Sequence, residues 1–128
     1  MAGGTGGLGR AVSFAFLQEH ARVAVTYRDE EEFVALRTAA GPNGSLLKGY
    51  RADVTDEAAV QQLMGGVLAE YGQLDVMINA VGAYAGGAKL WDAETKVFDH
   101  MLALNLRSGL LLSRVVALRC SNEDGDQS

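Results

Sequence analysis

Glycines crowd the beginning of the chain, whose first nine residues read MAGGTGGLG. An apolar helical pattern starts at Leu8, so this loop leads directly into a helix. Glycine permits positive φ and a close approach of the backbone to a ligand, and a helix N-terminus offers unpaired amides and partial positive charge to an anion. The sequence therefore predicts a pyrophosphate-binding loop, through Gly3, Gly7 and Gly9 or, in the spacing Gly-x-Gly-x-x-Gly, through Gly4, Gly6 and Gly9. A flexible linker is the alternative.

Other residue types that carry chemistry are sparse. Cys120 is the single cysteine, so no internal disulfide can form. His20 and His100 are far apart in sequence, and no Cys/His cluster has the spacing of metal ligands. We therefore expect no metal site.

The elements that must position the loop alternate along the chain. Apolar periodicity predicts helices over residues 8–20, 29–40, 55–71 and 94–118, and β-branched or apolar runs predict strands over 22–27, 45–54 and 74–80. Thr55 is expected to cap the third helix, and Asn105 falls on the apolar stripe of the fourth, which predicts that it is buried. Such alternation predicts an α/β fold with a doubly wound parallel sheet of Rossmann type.

Composition narrows the class of protein. The chain has 128 residues, of which 48% are hydrophobic and 21% charged, and it carries a formal net charge of -5. These values fit one globular domain and disfavour disorder, nucleic-acid binding and an anionic membrane surface. We see no signal peptide and no apolar run long enough to span a bilayer, and expect a cytoplasmic protein. Residues 1–118 form the predicted partial dinucleotide-binding domain, and 119–128 a disordered acidic tail.

Four signals in order resemble the short-chain dehydrogenase/reductase family, up to about Val116. That family has a Thr-Gly-x-x-x-Gly-x-Gly loop, in which Ala2 here replaces the threonine. An Asp-Val pair after its third strand is matched by Asp53-Val54, and an Asn-Asn-Ala-Gly stretch keeps its first and last residues in Asn79-Ala80-Val81-Gly82. The family's asparagine on the following long helix, which supports the active-site backbone, is matched by Asn105.

This resemblance implies a set of site residues. Asn105 is the one member of the family's catalytic tetrad that the chain contains. The implied cofactor-binding residues are Gly3, Thr5, Gly6, Gly7, Leu8, Gly9, Tyr27, Arg28, Asp53, Val54, Asn79, Ala80 and Gly82. Plainer roles stay open for three residues: Asp53 could serve only the helix start at Thr55, Asn79 could be an ordinary polar group at a strand end, and Asn105 could bond a nearby carbonyl in the core.

The end of the second strand of this family distinguishes NAD from NADP. A carboxylate there bonds the ribose hydroxyls of NAD, whereas an arginine accepts the 2′-phosphate of NADP. Tyr27 holds the position of that carboxylate here and Arg28 follows it, which favours NADP over NAD. Asp29 and Glu30 leave NAD open, and Arg28 could instead pair with this acidic run.

Hydride transfer in this family also needs a serine and a Tyr-x-x-x-Lys pair. None of the four tyrosines has a lysine four residues later, and the end of the chain, RCSNEDGDQS, resembles nothing in the family. The resemblance thus implies an NAD(P)-dependent oxidoreductase that acts on carbonyl or hydroxyl groups. This chain keeps mainly the cofactor-binding part of such an enzyme, and we expect it to be inactive alone. The alternatives are a non-catalytic dinucleotide-binding module and an inactive truncated or frameshifted product. A carbonyl or alcohol substrate is expected only in a full-length form, and a homo-oligomer is left open.

A strand should also precede Gly3 at the centre of the sheet, and we expect the fold to lack it together with the C-terminal half. The strands at 22–27 and 74–80 would then have no common neighbour. Unpaired backbone edges are costly to bury and open to pairing with other chains. Residues 1–128 alone are therefore expected to be unstable or to aggregate.

Overall fold

The computed structural model describes residues 1–124, and residues 125–128 lie outside the described part. Helices and strands alternate as the sequence predicts up to residue 71, beyond which the predicted third strand does not form. The main elements are helix α1 (Gly7–Gln18), strand β1 (Val23–Tyr27), helix α2 (Glu30–Ala39), strand β2 (Leu47–Arg51), helix α3 (Glu57–Tyr71), helix α4 (Thr95–Leu102) and helix α5 (Ser108–Asp124). Short 3₁₀ segments cover Gly41–Leu46 and Leu90–Asp92, and a π-helical segment, Ala103–Arg107, joins α4 to α5.

Strands β1 and β2 form a parallel pair. Their register runs from Val23 opposite Leu47 to Tyr27 opposite Arg51. Helix α2 connects them, as a parallel pair requires a crossover. The carboxyl ends of both strands therefore meet at one edge of the sheet.

Met1 and Ala2 lie between β1 and residues 78–80. The Met1 amino group donates to the Ala24 carbonyl at 2.7 Å, and the Thr26 amide donates to the Met1 carbonyl at 3.0 Å. On the other side, the Ala2 amide donates to the Ile78 carbonyl and the Ala80 amide to the Ala2 carbonyl, both at 2.9 Å. The expectation that the two predicted strands have no common neighbour is therefore wrong, because two residues suffice to bond both.

The predicted strand over residues 74–80 is reduced to a single parallel bridge between Ala2 and Asn79. A strand needs a partner along its length, and Ala2 offers this segment only its own amide and carbonyl. Residues 74–78 consequently run beside a gap in the sheet.

The buried apolar side chains form two clusters, and the Met1–Ala2 segment contacts both. The first joins α1, β1, α2 and β2 through Leu17, Val23, Val25, Leu36 and Leu47. The second joins the Met1–Ala2 segment to α3 and α5 through Ala2, Val54, Val60, Leu111 and Leu112. Because Ala2 belongs to the second cluster and Met1 packs against the first, these two residues connect the clusters.

Aspartates cap two of the helices. Asp29 Oδ1 accepts the amide of Glu31 at the start of α2, and Asp56 Oδ2 accepts the amide of Ala59 at the start of α3. The expectation that Thr55 caps α3 is therefore wrong. An aspartate one residue later has the better acceptor for a first-turn amide.

The predicted long helix is divided by the π-helical segment and packs mainly through its C-terminal part. None of the residues of α4 is buried, whereas Leu111 and Leu112 of α5 enter the core. Asn105 is exposed, which contradicts its expected burial, because in the described part of the chain little packs against this region. Helix α5 continues to Asp124, so residues 119–124 of the expected disordered tail are helical, and 125–128 lie outside the described residues. The division into domain and tail stays a prediction.

In length and composition, one helical stretch in the described residues could cross a membrane. Thr95–Ser121 has a mean hydropathy of 1.4 over its most apolar window. The expectation that no apolar run is long enough is wrong by that criterion. The evidence for a membrane span is weak, because core helices of soluble proteins satisfy the same criterion.

Candidate functional site

The glycine loop turns sharply from the Met1–Ala2 segment into α1. Gly3 has a φ of +72°, and a Cβ on it would lie 2.9 Å from the Ala80 carbonyl carbon and oxygen. Its amide donates to Thr26 Oγ1 at 3.1 Å, and its carbonyl accepts the Gly6 amide at 3.3 Å. Only glycine fits this position, because both the backbone angle and the contact with Ala80 exclude a side chain.

Gly7 and Gly9, which the sequence predicts to bind pyrophosphate together with Gly3, have different surroundings from it and from each other. A Cβ on Gly9 would overlap the Gly3 carbonyl, so Gly9 is needed for the loop to fold back on α1. A Cβ on Gly7 would meet no atom within 4 Å. Gly7 is therefore not required for packing, and the space in front of it is open.

The first turn of α1 has no side-chain cap. Gly6 occupies the N-cap position, and no side chain bonds the amides of the first turn. Thr5, which could have served as a cap, instead donates from its hydroxyl to Glu32 Oε2 at 2.9 Å. Gly7 and Leu8, both exposed, thus begin the helix with uncapped amides, where partial positive charge favours an anion.

An open groove lies where β1 and β2 end. Its lining includes five charged residues that follow or end these strands, Arg28, Asp29, Glu30, Arg51 and Asp53. Asp29 already caps α2, and the Tyr27 ring stacks on Phe33 with 5.0 Å between ring centroids. The two arginines are exposed, which leaves their guanidinium groups as the cationic part of this groove.

Asp53 forms a tight turn with Thr55. Its Oδ1 accepts the Thr55 hydroxyl at 2.6 Å and the Thr55 amide at 2.9 Å. These bonds, the hydroxyl one first, hold the pKa of the Asp53 carboxyl below its ordinary value. The Thr55 carbonyl accepts Arg107 Nε at 2.9 Å, so the π-helical segment anchors this turn. Val54 between them is buried in the second core cluster.

Asn105 holds the backbone of the loop that follows Asn79. Its Nδ2 donates to the Ala83 carbonyl at 2.9 Å and its Oδ1 accepts the Ala83 amide at 3.1 Å. A Cβ on Gly82 would lie 2.8 Å from Asn105 Oδ1, so a glycine is needed for this approach. Asn79 Oδ1 accepts the Val81 amide at 3.1 Å. The predicted Asn105 and Gly82 are thus in contact.

Comparison with known proteins identifies the family. The family model described as short chain dehydrogenase matches residues 1–125. The chain belongs to this family. A short chain dehydrogenase/reductase of Macrophomina phaseolina is 34% identical over 118 residues, which are 91% of this chain and 67% of that protein. The D-threitol dehydrogenase of Mycolicibacterium smegmatis is 32% identical over 126 residues, which are 96% of this chain and 47% of that protein.

Solved structures of short-chain dehydrogenases confirm the Rossmann-type α/β fold. One from Serratia marcescens is 31% identical with a TM-score of 0.82, over 91% of this chain and 47% of that chain. A metagenomic short-chain oxidoreductase, solved in complex with NADP, is 29% identical with a TM-score of 0.81, over 88% of this chain and 51% of that chain. The chain thus spans about half the length of most of these relatives, as expected for a truncated version of the fold.

Three residues of this candidate site were missed from the sequence. Arg51 lines the groove beside Arg28, Thr26 bonds the Gly3 amide, and Arg107 holds the Thr55 carbonyl. Arg51 ends a strand and lies two residues before Asp53, which was a usable signal. Nothing in the sequence pattern indicates the roles of Thr26 and Arg107, since both depend on contacts with distant parts of the chain.

Gly9→Ala and Gly7→Ala should differ in stability although they change the same atoms. We expect Gly9→Ala to lower the free energy of unfolding by about 1–3 kcal/mol or more, because its methyl group overlaps the Gly3 carbonyl. Gly7→Ala should leave that free energy unchanged or raise it by less than about 1 kcal/mol. Urea unfolding followed by far-UV circular dichroism measures both. Equal destabilisation by the two substitutions would contradict the described loop.

Thr55→Val should raise the pKa of the Asp53 carboxyl towards its ordinary value, because the strongest bond to the carboxylate is lost. The lowered pKa means that the turn stabilises the fold above the ordinary aspartate pKa, and that this contribution disappears as the pH falls through the folded-state pKa. An NMR titration of the carboxyl carbon measures the shift. Thr38→Val is the control, since that hydroxyl bonds the Val34 carbonyl instead. An unchanged Asp53 pKa in Thr55→Val would be inconsistent with this turn.

Proposed function

We propose that residues 1–128 bind a nicotinamide dinucleotide and form the cofactor-binding part of an NAD(P)-dependent oxidoreductase. The observation that carries this proposal is the first turn of α1, which has no side-chain cap and faces open space at Gly7. A helix N-terminus of this kind is suited to a diphosphate. The structural relative solved in complex with NADP supports the same class of ligand.

The loop residues have distinct roles in this proposal. The amides of Gly7, Leu8 and Gly9 would donate to the diphosphate, and Gly6 leads the backbone up to them. Gly3 and Thr5 would act indirectly, because Gly3 packs against Ala80 and the Thr5 hydroxyl bonds Glu32. The lack of a side chain at Gly7 keeps the approach to these amides free.

The groove at the ends of β1 and β2 would hold the adenosine part of the dinucleotide. Arg28 and Arg51 bring two cations to this groove, and the carboxylate of Asp29 is engaged in capping α2, while Glu30 also lines the groove and leaves NAD open. A 2′-phosphate is therefore better matched than a free ribose hydroxyl pair, which favours NADP over NAD. Asp53 and Val54 border the same groove, and Asp53 Oδ2 takes no part in the two bonds from Thr55. Tyr27 would contribute through its stacking on Phe33, which shapes the groove.

The loop from Asn79 to Gly82 would lie under the nicotinamide end. Asn105 fixes this loop through both polar groups of Ala83, so it serves as a positioning residue in the described structure. The bound dinucleotide supplies the hydride in carbonyl reduction or accepts it in alcohol oxidation. The proton at the substrate oxygen needs a group such as the family's tyrosine with its lysine, a pair that residues 1–128 do not contain.

Residues 1–128 should consequently bind the dinucleotide without turning over a substrate. The lack of a Tyr-x-x-x-Lys pair in residues 1–128 also favours a non-catalytic dinucleotide-binding module, which is the second candidate function. A substrate of the whole protein, a homo-oligomeric state and a cytoplasmic location stay predictions.

Titration of polypeptide 1–128 with NADPH tests the proposal. We expect saturable binding, visible as a change in NADPH fluorescence, and a loss of affinity of about tenfold or more in Gly7→Ala, because the added methyl group stands where the diphosphate must approach the amides. Gly65→Ala is the control: this glycine lies in α3, and a Cβ there also meets no atom within 4 Å. Absence of saturable binding, or equal affinity of Gly7→Ala and wild type, would refute it.

Arg28→Ala and Arg51→Ala test the preference for NADP. Each should weaken NADPH binding by about tenfold, the effect of losing one charge-assisted hydrogen bond to phosphate, and should leave NADH binding unchanged. Calorimetric titration with both dinucleotides separates the effects. Arg37→Ala is the control, since Arg37 is an exposed arginine of α2 outside this groove. An equal loss of affinity for NADPH and NADH would contradict the preference for NADP, because the arginines would then attract both dinucleotides by charge alone.

A further inference from the structure

The π-helical segment Ala103–Arg107 has two polar side chains that reach different parts of the proposed dinucleotide site. Asn105 bonds both polar backbone groups of Ala83, beside the loop proposed to lie under the nicotinamide end. Arg107 Nε donates to the Thr55 carbonyl at 2.9 Å, in the turn proposed to meet the adenosine end. Side chains two positions apart on a helix do not share a face, so the segment bonds the two loops from different sides.

Side chains also fasten this segment to the helices on either side of it. Asn105 Nδ2 donates to the Met101 carbonyl of α4 at 2.9 Å. The Ser108 hydroxyl, which is buried at the start of α5, donates to the Leu104 carbonyl at 2.7 Å. Short π-helical turns within α-helices occur frequently at functional sites. Because these bonds tie the segment to both of its neighbours, Arg107 and Asn105 belong to one mechanical unit.

The turn at Asp53 has a single hydrogen-bonded connection to this unit. Thr55 donates to Asp53 Oδ1 from both its hydroxyl and its amide, and its carbonyl accepts Arg107. The exposed ion pair of Glu57 with Arg114 is a second side-chain link between the start of α3 and α5, but it bonds no atom of the turn. Among the hydrogen bonds of the described residues, the Arg107 bond is therefore the one that joins the turn to the π-helical segment.

We propose that Arg107 is a positioning residue that couples the two ends of the dinucleotide site, an inference that rests on the proposed function. The adenosine part restricts the turn when it contacts Asp53. Through Arg107 this restriction reaches the π-helical segment, so that Asn105 holds the backbone of Ala83 more firmly. The nicotinamide end therefore meets a more ordered loop once the adenosine end is bound. Coupling of this kind needs a physical element that both ends bias, and the segment is that element.

Adenosine 2′,5′-bisphosphate, the half of NADP that lacks the nicotinamide end, tests the coupling on polypeptide 1–128. The Ala83 amide donates to Asn105 Oδ1, so its exchange with water, measured by NMR, reports on this bond. At saturation with the bisphosphate we expect this exchange to slow by about fivefold, the lower end of typical coupling between two sites. The Gly72 amide, which bonds the Leu68 carbonyl at the end of α3, is the internal control and should be unaffected.

Arg107→Met and Arg107→Gln form a matched pair of variants. Both remove the charge at similar side-chain length, but glutamine Nε2 can stand where arginine Nε donates to the Thr55 carbonyl, whereas methionine has no donor. We expect the slowing at Ala83 to be lost in Arg107→Met and kept in Arg107→Gln. A direct contact of the bisphosphate with Ala83 would not distinguish the two variants. Because exchange is compared at saturation, a change in affinity cannot produce the difference.

The wild-type polypeptide decides if Arg107→Met does not fold. The Ser108 amide donates to the Ala103 carbonyl across the π-helical segment, and the coupling requires its exchange to slow together with that of Ala83. Equal responses of the two variants, unchanged exchange at Ala83 or Ser108 in the wild type, equal slowing at Gly72, or NADPH binding without binding of the bisphosphate would overturn this inference alone. Lack of NADPH binding to the wild type would instead remove the proposed function and the inference with it.

Discussion

Four main-chain hydrogen bonds of Met1 and Ala2 hold together parts of the chain that are distant in sequence. They tie β1 to the segment that ends in Asn79 and Ala80, and thereby bring the glycine loop against the later loop. The two core clusters also meet at these residues. This segment is what bonds residues 78–80 to β1 in the described structure, while Asn105 bonds Ala83 from the other side. The placement of the glycine loop against the Asn79–Gly82 loop therefore depends on the pairing of two residues.

Close approaches of backbone then set the finer geometry. Gly3 lies against Ala80, and Gly82 lies against the side chain of Asn105, each at a distance that a Cβ would make too short. Gly9 similarly allows the loop to contact the start of α1. These contacts link the loop, the end of the central bridge and the π-helical segment, so glycines far apart in sequence act on one site. Gly7 has no such contact, which separates a glycine that shapes the loop from one that leaves room for a ligand.

The sequence predicted the elements whose signals are local. The apolar stripes of α1, α2 and α3 and the β-branched run of β1 depend on neighbouring residues, and the structure has them with nearly the expected bounds. The segment 74–80 has an equally apolar pattern, but a strand also requires a partner, and its pairing is limited to Ala2. The apolar stripe around Asn105 likewise predicted burial that depends on a neighbour. Local pattern gives the tendency of a segment, and long-range pairing determines whether that tendency is realised.

The candidate site shows the same division between motif and contact. The glycine loop, Asp53 and Asn105 could be found because each matches a spaced motif of the family. Arg51 matches none, since its position beside Arg28 arises from the register that places Tyr27 opposite Arg51 at the ends of the paired strands. That register brings two arginines to one groove although they are separated by the whole of α2. Parallel pairing thus places two arginines in a groove that also contains the carboxylates of Asp29, Glu30 and Asp53.

The plain and the functional readings of Asp53 are compatible in this arrangement. Its Oδ1 accepts both bonds from Thr55, which is the structural role, and the lowered pKa that results keeps the carboxylate charged and available through Oδ2. A turn that fixes one oxygen also fixes the direction of the other, and Arg107 holds the turn itself. A carboxylate that must meet a ligand at a defined position requires such support, because a free aspartate side chain would lose rotamer freedom on binding. In the proposed site the local bond would therefore orient Asp53 for a ligand rather than compete with one.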